Sequence, residues 1–384
     1  MGNVLCLDCE TTVSSKGNAF DQTNKLVCIG VKWINEYSDV YIKYEDFLAL
    51  QYSIDKANII VGFNIKFDLH WLRKVGIDIS KVRVWDCQLA EFILGNQSKP
   101  YPSLNDAATK YGLSSKLDIV KEQYWDKGID TDKIPRNVLD EYLTQDLNLT
   151  QQVYEKQLEQ FKNEASGLFP LFKLQCQDLL VLEDMEFNGI KFNSNSALTK
   201  AKEIGNELET ISKTLSVQVG GIPFNPSSND HISCLLYGGT ITDDMRIPVG
   251  VYKTGEKTGQ TRYKIVPKLY TLPRLVEPIK GTEVKKGGYW EVNETVLRKL
   301  KLNKEAKKVV DLLNQHAKLD KLRGTYLEGY SKLIQTMNWE QDTLHGTLNQ
   351  CVAITGRLSS SKPNLQNADS YTKYFMRSRY DRTG

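Results

Sequence analysis

The sequence predicts an α/β domain followed by a mostly helical region with a β-rich insertion. Three observations predict it. Short apolar runs rich in Val, Ile, Leu and aromatic residues crowd the start of the chain, separated by polar connections. Helical periodicity takes over from about residue 86, and strands followed by wrapping helices make an α/β layer. The stretch 238–290 then departs from its helical surroundings, being rich in Gly, Thr, Val, Tyr and Lys with turn signals such as "KTGEKTGQ" and "KKGG".

Each element follows in order. "NVLCLDC" (3–9), "LVCIGVKW" (26–33) and "SDVYIK" (38–43) predict strands, with the polar 16–25 as a hairpin-type connection. "NIIV" (58–61) predicts a short buried strand, and "GFNIKFDLHWLRKVG" a glycine turn running into a helix that ends near Gly76. Helices between 86 and 162 are broken by "GNQSKPYPS" (95–103) and "DKGIDTDKIP" (126–135), after which Pro135 can open a long helix. Residues 170–215 and 293–335 predict helix, 238–290 a β-rich hairpin insertion, and the last forty residues strand and loop. No internal repeat or low-complexity tract interrupts this order.

Composition narrows the class. The chain has 384 residues, enough for two or three domains with cores of their own. With 25% charged and 40% apolar residues, it has the make-up of a soluble globular protein. A net charge of +3 does not announce a nucleic-acid binder, so such a role must come from local clustering. No apolar run approaches the ~18–20 residues that span a membrane, and no basic-then-apolar leader opens the chain. The seven scattered cysteines suit free thiols in a reducing cytoplasm. Cys6 and Cys9 form a C-x-x-C, but within a strand their side chains face opposite ways and no second pair accompanies them, so no metal-thiolate site is expected.

The chemistry is carried by carboxylates. Asp8 and Glu10 are two apart on a strand and therefore share a face with Cys6. Like charges that close at the end of a buried strand are costly. Asp68 follows a short strand and its turn, and Asp146 lies on the long helix one turn after Tyr142. Taken singly, each is most simply a surface charge, a cap or a packing residue. Together, four acids from three elements can converge on two divalent cations ~3.5–4 Å apart, the arrangement that clamps both oxygens of an in-line phosphoryl displacement. Magnesium favours such carboxylate and water ligands.

These patterns resemble the DEDD exonuclease superfamily, which has an RNase H-like fold, in its tyrosine-containing branch. "LDCET" resembles the first motif (Asp8, Glu10), "GFNIKFDL" the second (Asn64, Asp68) and "YLTQD" the third (Tyr142, Asp146). Glu141 stands where the histidine branch would carry its His. "VWDCQLAEFIL" (84–94) and "SLNDAATKYGL" (103–113) are similar to further helices of that domain. The resemblance implies that Asp8, Glu10 and Asp146 hold one metal and that Asp8 bridges to a second, which Asp68 contacts through water. It implies that Tyr142 orients the attacking water, that Mg2+ or Mn2+ serves, and that nucleoside 5′-monophosphates leave a DNA 3′ end.

The second half is similar to family A DNA polymerases. "HGTLNQCVAITGRLSSSKPNLQN" (345–367) resembles the segment that leads into the palm, and "KLDKLRGTYLEGYSKL" (318–333) a thumb helix. "FNPSSNDHISCLLYGG" (224–239) and "GYWEVNETVLRKL" (288–300) look like thumb segments of bacteriophage members. The expected division is therefore an exonuclease domain at 1–165, a thumb-like region at 166–344 and the start of a palm at 345–384. Lys299, Lys301, Lys304, Lys307, Lys308, Lys318, Lys321 and Arg323 crowd one region, enough to neutralise phosphates, although a solvated helix face accounts for some. The tail interleaves Arg357, Lys362, Lys373, Arg377, Arg379 and Arg382 with Tyr371, Tyr374, Phe375 and Tyr380, a mixture that suits a nucleic-acid strand. Candidate DNA-binding residues are Asn64, Lys321, Arg323, Tyr326, Arg357, Asn364, Gln366 and Asn367. Turn chemistry around Pro363 accounts equally well for Asn364 and Asn367. The segment preceding "FNP" is short, so no thioredoxin partner is expected. Neither of the palm's catalytic aspartate motifs is present, and Asp369 and Asp381 stand in the wrong context to replace them. The expectation is the exonuclease-plus-thumb portion of a split, intron- or intein-interrupted, or truncated bacteriophage polymerase, a proofreading half that does not extend a primer alone, with palm and fingers supplied by a second polypeptide, in the cytoplasm of a host cell if phage-encoded. The competing expectations are an RNA-directed nuclease of the same fold and a non-catalytic primer-template assembly subunit.

Overall fold

The computed structural model describes residues 3–34, 39–114, 119–285 and 287–378. Its first elements are β1 (Val4–Thr11), β2 (Leu26–Trp33), β3 (Tyr41–Lys43), α1 (Gln51–Lys56), β4 (Ile59–Gly62), α2 (Ile65–Lys74) and β5 (Val84–Asp86). Ser38, expected to open the third strand, lies outside the described residues. The five strands form one mixed sheet ordered β3-β2-β1-β4-β5, with β1 antiparallel to β2 and parallel to β4. Both faces are buried, so β1 opens as an apolar run, Val4–Leu7, before its two acids. On one face, Cys6 and Cys28 pack against the long helix described next. On the other, Leu5, Leu7 and Ile29 join Leu69, Trp71 and Leu72 of α2. The polar connection after β1 is a 3-10 turn, Ser14–Gly17, knotted around Asp21.

The helices α3 (Cys87–Leu94), α4 (Leu104–Lys110), α5 (Ile119–Gln123) and α6 (Arg136–Asn163) follow, with Pro135 at the N-cap of α6. Helix α6 lies across β1, β2 and β4. Gly30 makes that close approach possible. A Cβ at Gly30 would meet Leu147 Cδ1 at 2.7 Å and Leu143 Cγ at 2.9 Å.

The helical run expected over 170–215 is interrupted. Helix α7 (Phe169–Asn188) stops at Gly189, whose φ of +63° disfavours a side chain. Strand β6 (Ile190–Phe192) intervenes before α8 (Ser194–Gln218). The reason is long-range pairing, since β6 sits between β9 (Thr343–Leu344) and β12 (Met376–Arg377). Between those two strands, β10 (Thr347–Asn349) pairs with β11 (Ser359–Ser361).

Packing divides the chain into two compact units: residues 1–194 with 330–384, and residues 195–329. These cuts differ from the expected domain limits because β6 binds the 343–377 return segment into the first unit. The second unit contains most of α8, then α9 (Asn229–Tyr237), β7 (Gly239–Val251), β8 (Thr261–Leu272), α10 (Glu294–Leu297) and α11 (Lys304–Lys321). Its core joins Leu215, Leu236, Tyr237, Val309 and Leu313. The β-rich insertion is one long hairpin, β7–β8. Helix α11 passes through a π-helical turn, Leu322–Glu328, into α12 (Gly329–Thr336). No helix among the described residues is long and apolar enough to cross a membrane.

Candidate active site

Alternation along β1 places Asp8 and Glu10 on the face that Cys6 shares. That face carries α6, as the approach of Cys6 Sγ to the Leu147 carbonyl at 3.7 Å shows. Asp146, next to Leu147, therefore reaches the same end of the strand. One oxygen each from Asp8, Glu10 and Asp146 lies within 4.8 Å of the others. Glu10 and Asp146 are buried, and Asp8 is half-buried.

Asp68 arrives from a different direction. It sits in the first turn of α2 and is 2% exposed, and its Oδ1 accepts the Cys9 N–H at 2.9 Å. Its carboxyl is thereby tied to the strand between the two motif acids. Burial pushes its pKa well above the ordinary carboxylate range, the Asp8 charge adds to that, and the Cys9 N–H works against it. Tyr142, one turn before Asp146, is 9% exposed, with its ring edge-on to Trp125 at 5.9 Å between centroids. Cys6 and Cys9 are buried free thiols, and burial raises the pKa of each.

The donor set fits a divalent cation. It consists of hard carboxylate oxygens converging from two elements, with a third element close by. Like charges held that close are costly, and a bound cation inverts that cost.

Two features of this site have no strong local signature. Asp86, at the end of β5, is 3% exposed, and it accepts from Ile65 N–H at 2.9 Å and Leu89 N–H at 2.9 Å. It caps α3 and at the same time pins the start of α2, three residues before Asp68. The N-cap pattern "Asp before an apolar helix" is legible in the sequence, but the bond to Ile65 is not. Lys66 is the second. Its Nζ donates to Glu186 Oε1 at 2.6 Å and to the Leu348 carbonyl at 2.5 Å. Glu186 Oε1 also accepts the Leu348 N–H at 2.5 Å. This buried junction joins α2 to α7 and β10 across 120 and 282 residues of sequence, and no local pattern encodes it.

The candidate DNA-binding residues are spread over both units. Asn64 is exposed at the N-cap of α2 with φ +60°. A cavity of about 240 Å³ beside it is lined by Lys66, Gln88, Tyr101, Asn349 and Gln350. Arg357, Asn364, Gln366 and Asn367 are exposed. Asn364 Oδ1 caps a 3-10 turn by accepting the Asn367 N–H at 3.3 Å, and Gln366 Nε2 donates to the Leu358 carbonyl at 3.2 Å. Their side chains thus already serve the turn. In the second unit Lys321 is exposed, as are the lysines of α11 from Lys304 to Lys318. Arg323 faces Glu328 at 3.4 Å, and Tyr326 is buried at 6% exposure, so packing engages its ring. Of the tail residues, Arg379, Tyr380, Asp381 and Arg382 lie outside the described residues.

Residues 2–162 match the 3′-5′ exonuclease family. Residues 269–380 match DNA polymerase family A. The chain carries a 3′-5′ exonuclease domain and part of a family A DNA polymerase domain. It is 27% identical over 360 residues to DNA polymerase I of Synechocystis sp., covering 89% of this chain and 31% of that protein. It is 27% identical over 297 residues to DNA polymerase I of Bacillus subtilis, covering 77% and 28%. The chain thus spans less than a third of these relatives' length. Among solved structures, the POL domain of Pol1 from M. smegmatis, in complex with DNA primer-template and dNTP, superimposes with a TM-score of 0.65 at 15% identity. That match covers 97% of this chain and 54% of the other and shows the fold. Exonuclease domains of this kind use divalent metal ions, and the Asp8, Glu10 and Asp146 cluster supplies a place for them here.

Proposed function

We propose that this chain is the proofreading 3′→5′ exonuclease portion of a family A DNA polymerase, hydrolysing the terminal phosphodiester to release nucleoside 5′-monophosphates. The observation that carries the reading is the convergence of Asp8, Glu10 and Asp146 within 4.8 Å, with Asp68 bonded to the same strand. Bound Mg2+ would supply an activated water and charge stabilisation at the leaving oxygen. Asp8, Glu10 and Asp146 would hold it, with Asp68 on the outer side. The Tyr142 hydroxyl would orient the attacking water, positioned by its ring's packing on Trp125. Primer-template DNA is the substrate class, and the thumb-like second unit with its exposed lysines would hold the duplex. A palm-and-fingers segment, on this or another polypeptide, would complete the polymerase domain that residues 269–380 match.

The test is a 5′-labelled primer-template incubated with the chain and magnesium, without and with nucleotides. Primer shortening that EDTA abolishes is expected. Asp8→Ala with Glu10→Ala should slow it by about a thousandfold or more, the scale of losing metal-assisted chemistry. Wild-type rates in that double variant would remove the two acids from the site.

A further inference from the structure

The β7–β8 hairpin does not belong to the exonuclease site, and its chemistry is specific. Its root is fixed, because Ile241 and Leu272 are buried in the second unit's core and Arg274 Nε donates to the Tyr237 carbonyl at 3.0 Å. Beyond the root the ladder continues unbroken from Asp243↔Lys268 to a bulge at Pro248/Gly250 and ends at Val251↔Thr261. At ~3.3 Å per residue this arm extends on the order of 30 Å past the core, close to one helical turn of DNA. An isolated two-stranded hairpin is marginal in water. A long one with Met245, Ile247, Ile265 and Leu269 more than 40% exposed is built to lie against something.

Charge identifies what that is. The hairpin, residues 239–272, carries six cations, Arg246, Lys253, Lys257, Arg262, Lys264 and Lys268, against three acids, Asp243, Asp244 and Glu256. Its net of +3 in 34 residues is as much as the whole chain of 384 carries. All six cations are exposed, and among the described residues none forms an ion pair. The register aligns three of them. Lys264 pairs with Ile247 and Lys268 with Asp243, so Arg262, Lys264 and Lys268 alternate along one face of β8. The aromatic on that face, Tyr270, is half-buried and covered by Lys268 Nζ at 4.9 Å. The face therefore offers cations without an open stacking platform, which favours a phosphate backbone over unstacked bases. A two-stranded ribbon is also of a width that the major groove admits.

We infer that the β7–β8 hairpin is a duplex-DNA-gripping arm, whose Arg262, Lys264 and Lys268 face neutralises backbone phosphates without reading sequence. The inference deepens the proposed function and rests on its DNA-handling part. It assigns the duplex contact to a defined ribbon rather than to the lysines of α11. The same cations could instead serve only to keep an open sheet edge from pairing with other chains, and the test separates the two.

The full chain is titrated against a fluorescein-labelled duplex of mixed sequence, about three helical turns long, over a range of salt. The triple variant Arg262→Gln, Lys264→Gln, Lys268→Gln is compared with wild type. Loss of three phosphate contacts should weaken duplex binding by about tenfold or more at low salt and lower the log K against log salt slope by about 2.7. Degradation of a short single-stranded oligonucleotide should be unchanged, because these residues lie outside the carboxylate site. The conservative variant Arg262→Lys should keep duplex affinity. Unchanged duplex affinity and slope in the triple variant would overturn the inference, whether the hairpin then proves to dock a second copy, another protein or nothing. Should the wild-type chain fail to shorten single strands, the exonuclease reading falls, while the duplex titration still tests the hairpin.

Discussion

In the proposed site Asp68 can reach β1 only if α2 begins at the right place, and that start is held from outside the motif. The Asp86 carboxylate receives N–H groups from α2 and α3 together. Burial raises its pKa, and the N–H bonds of Leu89, Ile65, Gln88 and Asn64 oppose that rise. Within the proposed site, Asp86 is thus a positioning residue that would act through Asp68. Asp86→Asn keeps the shape but offers one accepting oxygen instead of two, leaving a buried N–H without its partner at a cost of about 1–3 kcal/mol. The expected result is a kcat on single-stranded DNA lower by about tenfold or more, with half-maximal activity at a higher magnesium concentration, since small misplacements of catalytic groups are costly. A lowered melting temperature with an unmoved magnesium midpoint would reduce Asp86 to a purely structural role.

At the scale of elements, the site depends on how closely α6 lies on the sheet. Gly30 pairs with Asp8 across the β1–β2 ladder, and the space a side chain would need is filled by Leu143 and Leu147. Gly30→Val should push α6 away from β1, with an overpacking cost of about 1–3 kcal/mol. It should also carry Asp146 and Tyr142 away from Asp8. Exonuclease activity should fall by about a hundredfold, with far-ultraviolet circular dichroism unchanged. Near-wild-type activity would mean that α6 repacks without moving its acid. The strands and long helices of this domain were legible because apolar runs and the helical period are local signals. Strand β6 was not. "IKF" is too short to stand out between two helices, and its pairing partners lie some 150 residues away at β9 and farther still at β12.

At the scale of the molecule, the first unit is made of two separated stretches, and Asp21 is one of the groups that join them. Its carboxylate accepts from Thr23 N–H at 2.9 Å, Ser15 Oγ at 2.9 Å and Asn338 Nδ2 at 3.1 Å, the last from the return segment. Burial works against the charge, but hydrogen bonds from Thr23, Asn338 and Ser15 hold the pKa down to about 2. A carboxyl depressed in the folded state stabilises above its unfolded value of 3.8, and that contribution is lost as pH falls through about 2. It is worth on the order of 2 kcal/mol. In urea unfolding at about pH 5.5, Asp21→Asn should be less stable than wild type by about that amount, and the gap should close near pH 2. An equal gap at both pH values would show that the charge contributes nothing.

By itself the sequence determined the candidate acids, the shared face of Asp8 and Glu10, the one-turn spacing of Tyr142 and Asp146, and the presence of a β-rich insertion. All of these follow from side-chain period and turn chemistry, which a few neighbouring residues specify. Only the tertiary structure decided that Asp68 bonds to the Cys9 N–H, that Asp86 pins α2, and that Lys66 and Glu186 join α2 to the β10 segment. It also decided that the insertion is one ribbon with Arg262, Lys264 and Lys268 on a common face of β8. These are contacts between elements far apart in the chain. Their geometry is set by which apolar faces bury together and in what register, and no local window of sequence contains that information.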